Sequence, residues 1–298
     1  MIATTTDDAS VYGDEFFAGI EEGARRSANE VAQLIKQLFA PGSVVDIGGG
    51  AGHWAAAMRD AGIADILSVD GPWVPQAARV VPPEQFREHD LSLPLTLERR
   101  FDVAMSLETA EHLPPEAAPG LVRALTQAAP IIVFSAALPG QGGDRHINEQ
   151  RASHWASLFA EHGYACFTDL RSHIWNNESI EVWYRQNLLC FISGSELHRW
   201  TDRLNERRNP GDPLLDVAHP DLVLRQKGRI DRAEAYAARL EKDAARLEKD
   251  AARLRQESGQ LRADLAVTRE KLGAITNSRL WRGRRGLGRL FHSLRNIF

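Results

Sequence analysis

Two carboxylates and an imidazole stand close together near the middle of the chain. Glu108, Glu111 and His112 directly follow the apolar run FDVAMSL at 101–107, which has the composition of a buried strand. In open α/β sheets, ligands bind outside the carboxyl ends of the strands. The spacing therefore predicts a ligand site at the end of this strand. Carboxylate oxygens and imidazole nitrogens are also suitable ligands for a divalent cation.

A glycine-rich loop lies upstream, where residues 44–52 read VVDIGGGAG. Glycines adopt positive φ and let a ligand approach the backbone closely. The dinucleotide fingerprint G-x-G-x-x-G does not fit, because His53 stands where its third glycine belongs. An acid placed before the loop suits a cationic ligand without phosphate, such as S-adenosylmethionine. The pattern that does fit is D-x-G-x-G-x-G, with Asp46, Gly48, Gly50 and Gly52.

Further acids follow the next apolar runs. Asp70 ends the second predicted strand, where a carboxylate accepts hydrogen bonds from both ribose hydroxyls of a nucleoside. Asp90 is expected to face the adenine amine, and Leu91 to lie against the adenine ring. Leu107, the last residue of the apolar run before Glu108, is predicted to contact the cofactor as well. The order of these residues along the chain is more informative than any one of them.

These motifs resemble those of class I S-adenosylmethionine-dependent methyltransferases. Residues 46–52 are similar to their first motif, Asp70 and Asp90 to their ribose and adenine acids, and 101–108 to their fourth strand. The resemblance covers about residues 12–193. It implies an α/β, Rossmann-like fold with a mostly parallel seven-stranded sheet and helices on both faces. The run 182–189 looks like the antiparallel last strand, and 172–189 is similar to methyltransferases of surface-glycan synthesis.

The spacing Glu108-x-x-Glu111-His112 is similar to that of metal-assisted O-methyltransferases. In the small-RNA enzymes of this type, a further histidine after the fifth strand completes the metal site, and here His146 follows the apolar run 131–137. The resemblance thus implies Mg²⁺ or Mn²⁺ bound by Glu108, Glu111, His112 and His146. Such an ion lowers the pKa of an acceptor hydroxyl. Without a metal, His112, His146 or His173 would be the general base, and Glu111-His112 would cap the next helix or position substrate.

The chain is predicted to have four parts. Strand-like and helix-like runs alternate over residues 1–193, which predicts a parallel sheet covered by helices. Apolar density then falls, so 194–229 is assigned as a linker. From 230 to 276 leucines recur every seven residues, and the flanking charges favour a parallel homodimeric coiled coil. A lone charged helix, or a helix packed on its own domain, is the alternative.

The last segment, 277–298, combines arginines with an apolar stripe of leucine and aromatic residues. This pattern suits peripheral contact with an anionic membrane, and docking on protein is the alternative. Nucleic acid is not expected as a partner, because the net charge is −4 and the aromatic residues lie on the apolar stripe. Cys166 and Cys190 stand in apolar runs and are expected to be buried thiols. With no predicted signal peptide or membrane span, we expect a cytoplasmic protein, with the tail at the inner face of the membrane.

The sequence therefore predicts transfer of a methyl group from S-adenosylmethionine to an acceptor oxygen. The acceptor expected is a hydroxyl of a sugar or glycan intermediate in surface polysaccharide synthesis, with Mg²⁺ assistance as an option. A different class of hypothesis is a membrane-associated coiled-coil scaffold whose methyltransferase-like domain only binds a ligand. An oxidoreductase is disfavoured because the third glycine of the dinucleotide fingerprint is missing.

Overall fold

A computed structural model describes residues 14–277 and residue 283, with side chains from residue 22 onward. Eight strands form one sheet in the order β3-β2-β1-β4-β5-β7-β6-β8. The strands are β1 (Ser43–Ile47), β2 (Asp65–Asp70), β3 (Phe86–Glu88), β4 (Val103–Leu107), β5 (Ile131–Ser135), β6 (Tyr164–Phe167), β7 (Leu189–Ser193) and β8 (Arg207–Arg208). The first five pair in parallel, and β7 runs antiparallel to both β5 and β6.

Helices cover both faces of the sheet. They are α1 (Asp14–Phe39), α2 (His53–Asp60), α3 (Ala118–Ala128), α4 (Ala152–Glu161), α5 (Asp169–Ile174), α6 (Val182–Asn187), α7 (Leu197–Trp200) and α8 (Pro220–Asn277). One core joins α1, α2 and α5–α7 to one face, and a second joins α3 and α4 to the other. Successive residues of β5 alternate between the two cores, as a strand buried on both faces requires. The predicted Rossmann-like, mostly parallel architecture is confirmed.

The direction in which the chain builds the sheet reverses between β1 and β4. From β1 the chain proceeds outward to β2 and β3, and it then returns to add β4 and β5 on the other side. The loops that follow β1 and β4 therefore leave a crevice between them, because they turn away from each other. Both chemically suggestive motifs of the sequence, the glycine loop and Glu108–His112, lie at this crevice.

The sheet departs from the predicted seven strands in two respects. An eighth strand, β8, pairs antiparallel with β6. The run 182–189 was predicted to be the antiparallel last strand, but most of it forms α6, and the strand is β7. Both amide N–H groups of Tyr184 and Arg185 donate to the carbonyl of Glu181, as in a first helical turn. Alternating apolar residues in so short a run are compatible with either element, which is why the pattern misled.

The segment 194–229, expected to be a linker, packs on the domain over most of its length. Trp200 packs edge-on against Phe39 with ring centroids 5.1 Å apart. Leu215 is fully buried, and its carbonyl oxygen accepts a hydrogen bond of 3.1 Å from the buried Arg171. Low apolar density therefore did not mean an unpacked segment, because a few large side chains and one guanidinium anchor it.

The chain divides into two compact units, residues 1–227 and 228–298. Within the second unit, the described residues continue α8 as an uninterrupted helix through Gly259 to Asn277. The leucines of α8 that belong to this unit are exposed. The predicted amphipathic tail, 277–298, lies almost wholly outside the described residues. Among the residues described, no helix has the length and apolar character needed to cross a membrane.

Candidate active site

The loop after β1 and the loop after β4 are joined by a side chain that the sequence did not indicate. The hydroxyl of Thr109 donates to the carbonyl oxygen of Gly48 at 3.0 Å. Gly48 has φ of 87°, and a Cβ atom built on it would lie 2.2 Å from the Thr109 side chain. Because φ is positive and the Thr109 side chain is so close, only glycine fits at position 48.

Asp70, at the carboxyl end of β2, fixes the tip of the glycine loop. One carboxylate oxygen accepts the amide of Gly50 at 2.7 Å, and the other accepts the amide of Gly71 at 2.6 Å. Gly50 has φ of 55° with open space on the side where a Cβ would stand. The acid and the bare backbone thus present a carboxylate and an unobstructed glycine surface to the crevice.

The crevice contains a cavity of about 510 Å³. This volume is typical of a site for a small molecule or cofactor. Its lining comes from the ends of β1, β2 and β4 and from the segments after β3 and β5. The lining residues are Gly48, Gly50, Asp70, Trp73, Asp90, Leu91, Ser92, Glu108, Thr109, His112, Leu113, Pro114 and Arg145.

Five of the predicted cofactor residues line this cavity, and three do not. Gly48, Gly50, Asp70, Asp90 and Leu91 are lining residues. The other three serve the framework. Gly52, with φ of 90°, caps the start of α2, and Leu107 is buried in the core within β4. Asp46 lies beneath the loop rather than in the cavity wall.

The Asp46 carboxyl group is almost fully buried, at 1% exposure. Burial raises its pKa to about 7, and the negative charge of Asp70 adds to the effect, while the amide of Ala55 opposes it. One of its oxygens has no hydrogen-bond partner, and the same is true of the hydroxyl of Ser68. A Cβ on Gly49 would lie within 2.5 Å of both atoms, so both polar groups lie directly under the loop.

Glu108 is held in a strained conformation by residues distant in sequence. Its φ is 49°, a region that a residue with a side chain rarely adopts. Its carboxylate accepts hydrogen bonds of 3.0 Å from the amides of Asn187 and Gln141. Burial raises the pKa of Glu108, and these hydrogen bonds oppose the rise. The sequence missed Asn187 and Gln141 because nothing in their local pattern points to Glu108.

The structure brings together three of the four predicted metal ligands. One ligand atom from each of Glu111, His112 and His146 lies within 4.8 Å of the other two. The two imidazole rings meet edge-on with centroids 4.9 Å apart. His146 is oriented by the Glu149 carboxylate, 2.9 Å from its Nδ1. Glu108 is not in this group, since its carboxylate is occupied by Asn187 and Gln141.

The electrostatics of the Glu111 group fit a cation. Both carboxylate oxygens of Glu111 are buried without a hydrogen-bond partner. Burial, followed by the charge of Glu108, raises the Glu111 pKa to about 9. The His112 pKa is lowered, chiefly by burial and then by His146, so its ring is neutral near pH 7. A buried carboxyl without a hydrogen-bond partner, beside two imidazoles, is a donor set that a divalent ion would satisfy.

The loop that carries His146 is pinned from three sides. The Glu149 carboxylate accepts the amides of Gly140 and Gly142 at 2.7 and 2.6 Å. The amides of Ile147 and Asn148 donate to the carbonyl of Glu111. Gln226, in the first turns of α8, donates to the carbonyl of Gly140 at 2.7 Å. The loop that carries His146 is therefore braced by hydrogen bonds to three other parts of the chain.

Two further lining residues went unnoticed in the sequence. Trp73 is 61% exposed, and its ring lies over Gly71, where a Cβ would meet it at 2.1 Å. Its position three residues after Asp70 was the available signal. Arg145 has φ of 55°, and its guanidinium is almost fully exposed. It stands on the braced loop beside His146, where it can contact the part of a ligand nearest the cavity mouth.

Comparison with solved structures finds several similar proteins. The chain is similar in structure to the sugar N-methyltransferase KedS8 from Streptoalloteichus sp ATCC 53650, with 17% identity, a TM-score of 0.47, and coverage of 65% of this chain and 98% of that one. It is also similar to human N-acetylserotonin methyltransferase in complex with SAM, with 16% identity, a TM-score of 0.42, and coverage of 64% and 60%. A third similar structure is Streptomyces venezuelae DesVI, with 18% identity, a TM-score of 0.37, and coverage of 47% and 62%.

The chain thus spans less than two thirds of the length of DesVI and of the human enzyme. No curated protein sequence matches it. A family model described as a methyltransferase domain matches residues 20–206, which is more than half of the chain. The matched region contains the glycine loop, the acids after β2 and β3, the Glu108–His112 segment and the strands through β7. The chain therefore belongs to the methyltransferase domain family.

Proposed function

We propose that the protein transfers a methyl group from S-adenosylmethionine to a hydroxyl group of a sugar or glycan intermediate. The observation that carries the proposal is that one cavity is lined both by Gly48, Gly50 and Asp70 and by Glu108 and His112. The first three provide a glycine surface and a carboxylate for a nucleoside. The last two provide acid and base groups for an acceptor at the same crevice.

The cofactor half of the cavity is assigned to three interactions. The Asp70 carboxylate would accept the ribose hydroxyls, and Trp73 offers an exposed ring for stacking. Asp90 and Leu91 would hold the adenine by its amine and its face. S-adenosylmethionine, when bound, supplies the electrophilic methyl group. The chain's own residues orient the two substrates, because in-line transfer depends mainly on positioning.

The acceptor half has a base available at neutral pH. Without a metal, the lowered pKa of His112 leaves its imidazole unprotonated, so it can remove the proton from an acceptor hydroxyl. Arg145 and the Glu108 carboxylate provide further polar contacts, which suits a hydroxyl-rich acceptor better than an apolar one. A hydroxyl oxygen is thus the acceptor that these groups favour.

A divalent ion, Mg²⁺ or Mn²⁺, is proposed for Glu111, His112 and His146. Such an ion would lower the pKa of the acceptor hydroxyl. The support is the pair of unpartnered Glu111 oxygens next to two imidazoles. Titration of Mn²⁺, followed by electron paramagnetic resonance, should show binding to the wild-type protein. This binding should be lost in Glu111→Gln and in His146→Ala. Glu108→Gln should keep it, and loss of Mn²⁺ in Glu108→Gln alone would contradict this ligand set.

Calorimetric titration of S-adenosylmethionine into the full-length protein tests the cofactor assignment. Asp70→Asn keeps an oxygen for the loop amides but removes the charge, and binding should weaken by roughly 10- to 100-fold. Asp65→Ala is the matched control, since it removes an acid from the other end of the same strand, where it pairs with exposed Arg99. No heat of binding to well-folded protein would reject the function proposed here.

A further inference from the structure

The long helix of the second unit carries a row of exposed apolar side chains. Ten large apolar side chains are exposed between residues 228 and 277, and their exposures lie between 48% and 69%. Eight of them fall at the first and fourth positions, a and d, of an unbroken seven-residue repeat. These are Ile230, Leu240, Leu247, Leu254, Leu261, Leu265, Leu272 and Ile275. Exposure on that scale calls for a partner.

We infer that the partner is a second copy of this chain, wound in parallel and in register along residues 230–276 as a two-stranded coiled coil. A seven-residue repeat on a continuous helix, apolar at every a and d position except Ser258 and Thr268, specifies a left-handed supercoil. Leucine occupies most d positions, as it does in parallel two-stranded coiled coils. This inference concerns the assembly and does not depend on the proposed chemistry.

Charges beside the row match a parallel, in-register copy. In that arrangement, position g of one helix faces position e of the next heptad in its partner. Asp243 faces Glu248, which is the one repulsive pair, but Arg246 lies 3.1 Å from Asp243 and offsets its charge. Each attractive pair occurs twice by symmetry. These pairs are Asp250–Arg255, Glu257–Arg262 and Asp264–Arg269.

An antiparallel copy would repel along one of its two edges, although at the other edge the e positions combine Glu241 and Glu248 with Arg255 and Arg262. In an antiparallel pair, the g positions of the two helices face each other along one edge of the contact. Four successive g positions are acidic, so this edge would place carboxylates against carboxylates over most of its length. The acidic g residues are Asp243, Asp250, Glu257 and Asp264.

The polar residues in the row are compatible with burial. Thr268, at a d position, donates its hydroxyl to the carbonyl of Asp264 at 2.8 Å within its own helix. Its hydrogen-bonding group would therefore not be left unsatisfied in the interface. Alanines at a, Ala237, Ala244 and Ala251, would let the two helices approach closely in the first half. Larger residues, such as Leu265 and Leu272, fill the second half.

Sedimentation equilibrium of the full-length protein tests the inference. The expected mass is twice the 33.1 kDa of one chain. Leu254→Glu places a carboxylate in the row and should return the mass to that of the monomer. Gln256→Glu adds the same group on the opposite side of the helix, at position f, and should leave the dimer intact. A wild-type protein that is monomeric at all concentrations, or a partner of another kind, overturns the inference.

Cross-linking tests the orientation and register. Leu261→Cys should oxidise to a covalent dimer, because only a parallel, in-register pair brings residue 261 of both copies together at disulfide distance. Ala263→Cys, at position f, should not. The native Cys166 and Cys190 are buried and do not compete. A dimer in which Leu261→Cys fails to cross-link would refute the parallel arrangement.

Charge exchange gives an independent readout of the same pairing. Asp250→Arg alone and Arg255→Asp alone each turn an attractive contact into a repulsive one, so each should weaken dimerisation. The double variant restores opposite charges across the interface and should recover most of the dimer affinity. Failure of the double variant to rescue a folded protein would contradict the assigned g–e contacts.

Discussion

Asp46 gives a quantitative test of how the glycine loop is supported. The carboxyl group is buried, and its pKa is raised from 3.8 to about 7. A carboxyl whose pKa is higher in the folded protein stabilises the fold at low pH. That contribution is lost as the pH rises from about 4 through about 7, because the unfolded chain releases the proton first. Ionised Asp46 should therefore destabilise the fold by up to about 4 kcal/mol above pH 7.

Asp46→Asn removes this dependence, since the amide does not ionise. From pH 5 to pH 8, the unfolding free energy of the variant should rise relative to wild type by about 2.5 kcal/mol. Urea denaturation at several pH values measures this difference directly. Any misfit of the amide against Ser68 would shift the difference equally at every pH and would not change its slope.

Asp90→Asn is the matched control for the Asp46 experiment. Bonds from the side chain and the amide of Ser92 lower the pKa of Asp90, so its carboxyl is ionised in both folded and unfolded chains above pH 5. Its replacement should leave the slope between pH 5 and pH 8 unchanged. A difference between wild type and Asp46→Asn that does not vary over this range would refute the reasoning, because it would mean that the buried carboxyl does not resist ionisation.

Three further substitutions probe the crevice. Gly48→Ala meets the Thr109 side chain and a positive φ, so thermal unfolding should show a loss of at least about 1 kcal/mol, and calorimetry should show weaker cofactor binding. Asn187→Leu leaves the buried Glu108 carboxylate short of a donor, and urea denaturation should show a loss of about 1–3 kcal/mol. Gln226→Ala removes a hydrogen bond that holds the loop carrying His146, so KM for the methyl acceptor should rise while cofactor affinity stays unchanged. Equal changes in acceptor KM and cofactor affinity would contradict this.

Features encoded by adjacent residues were predictable. The glycine loop, the acids after β2 and β3, and the alternation of strands and helices each depend on a short stretch of sequence. In contrast, the run 182–189 was wrongly predicted to be a strand, because its pattern of apolar residues is compatible with either a strand or a helix. The buried polar side chains of α6 make their hydrogen bonds with distant segments, since Arg185 contacts Asp221 and Asn187 contacts Glu108. The local run therefore resembled a strand although it forms a helix.

The metal hypothesis shows the same division. The sequence placed Glu108, Glu111, His112 and His146 near one another because they follow adjacent strands. The fold brought the last three together, whereas the Glu108 carboxylate accepts hydrogen bonds from Asn187 and Gln141. Side-chain direction at the end of a strand depends on local φ, and at Glu108 that angle is positive. Motif spacing contains no information on such a turn.

The sequence by itself determined the family, the sheet that carries the crevice and most of the cofactor wall, because these follow from local conformational preference and hydrophobic period. Only the tertiary structure decided which polar groups share a hydrogen bond. The bond from Thr109 to Gly48 and that from Asn187 to Glu108 join residues 61 and 79 positions apart. Burial then set the pKa values of Asp46 and Glu111, because the cost of a buried charge depends on what surrounds it in space.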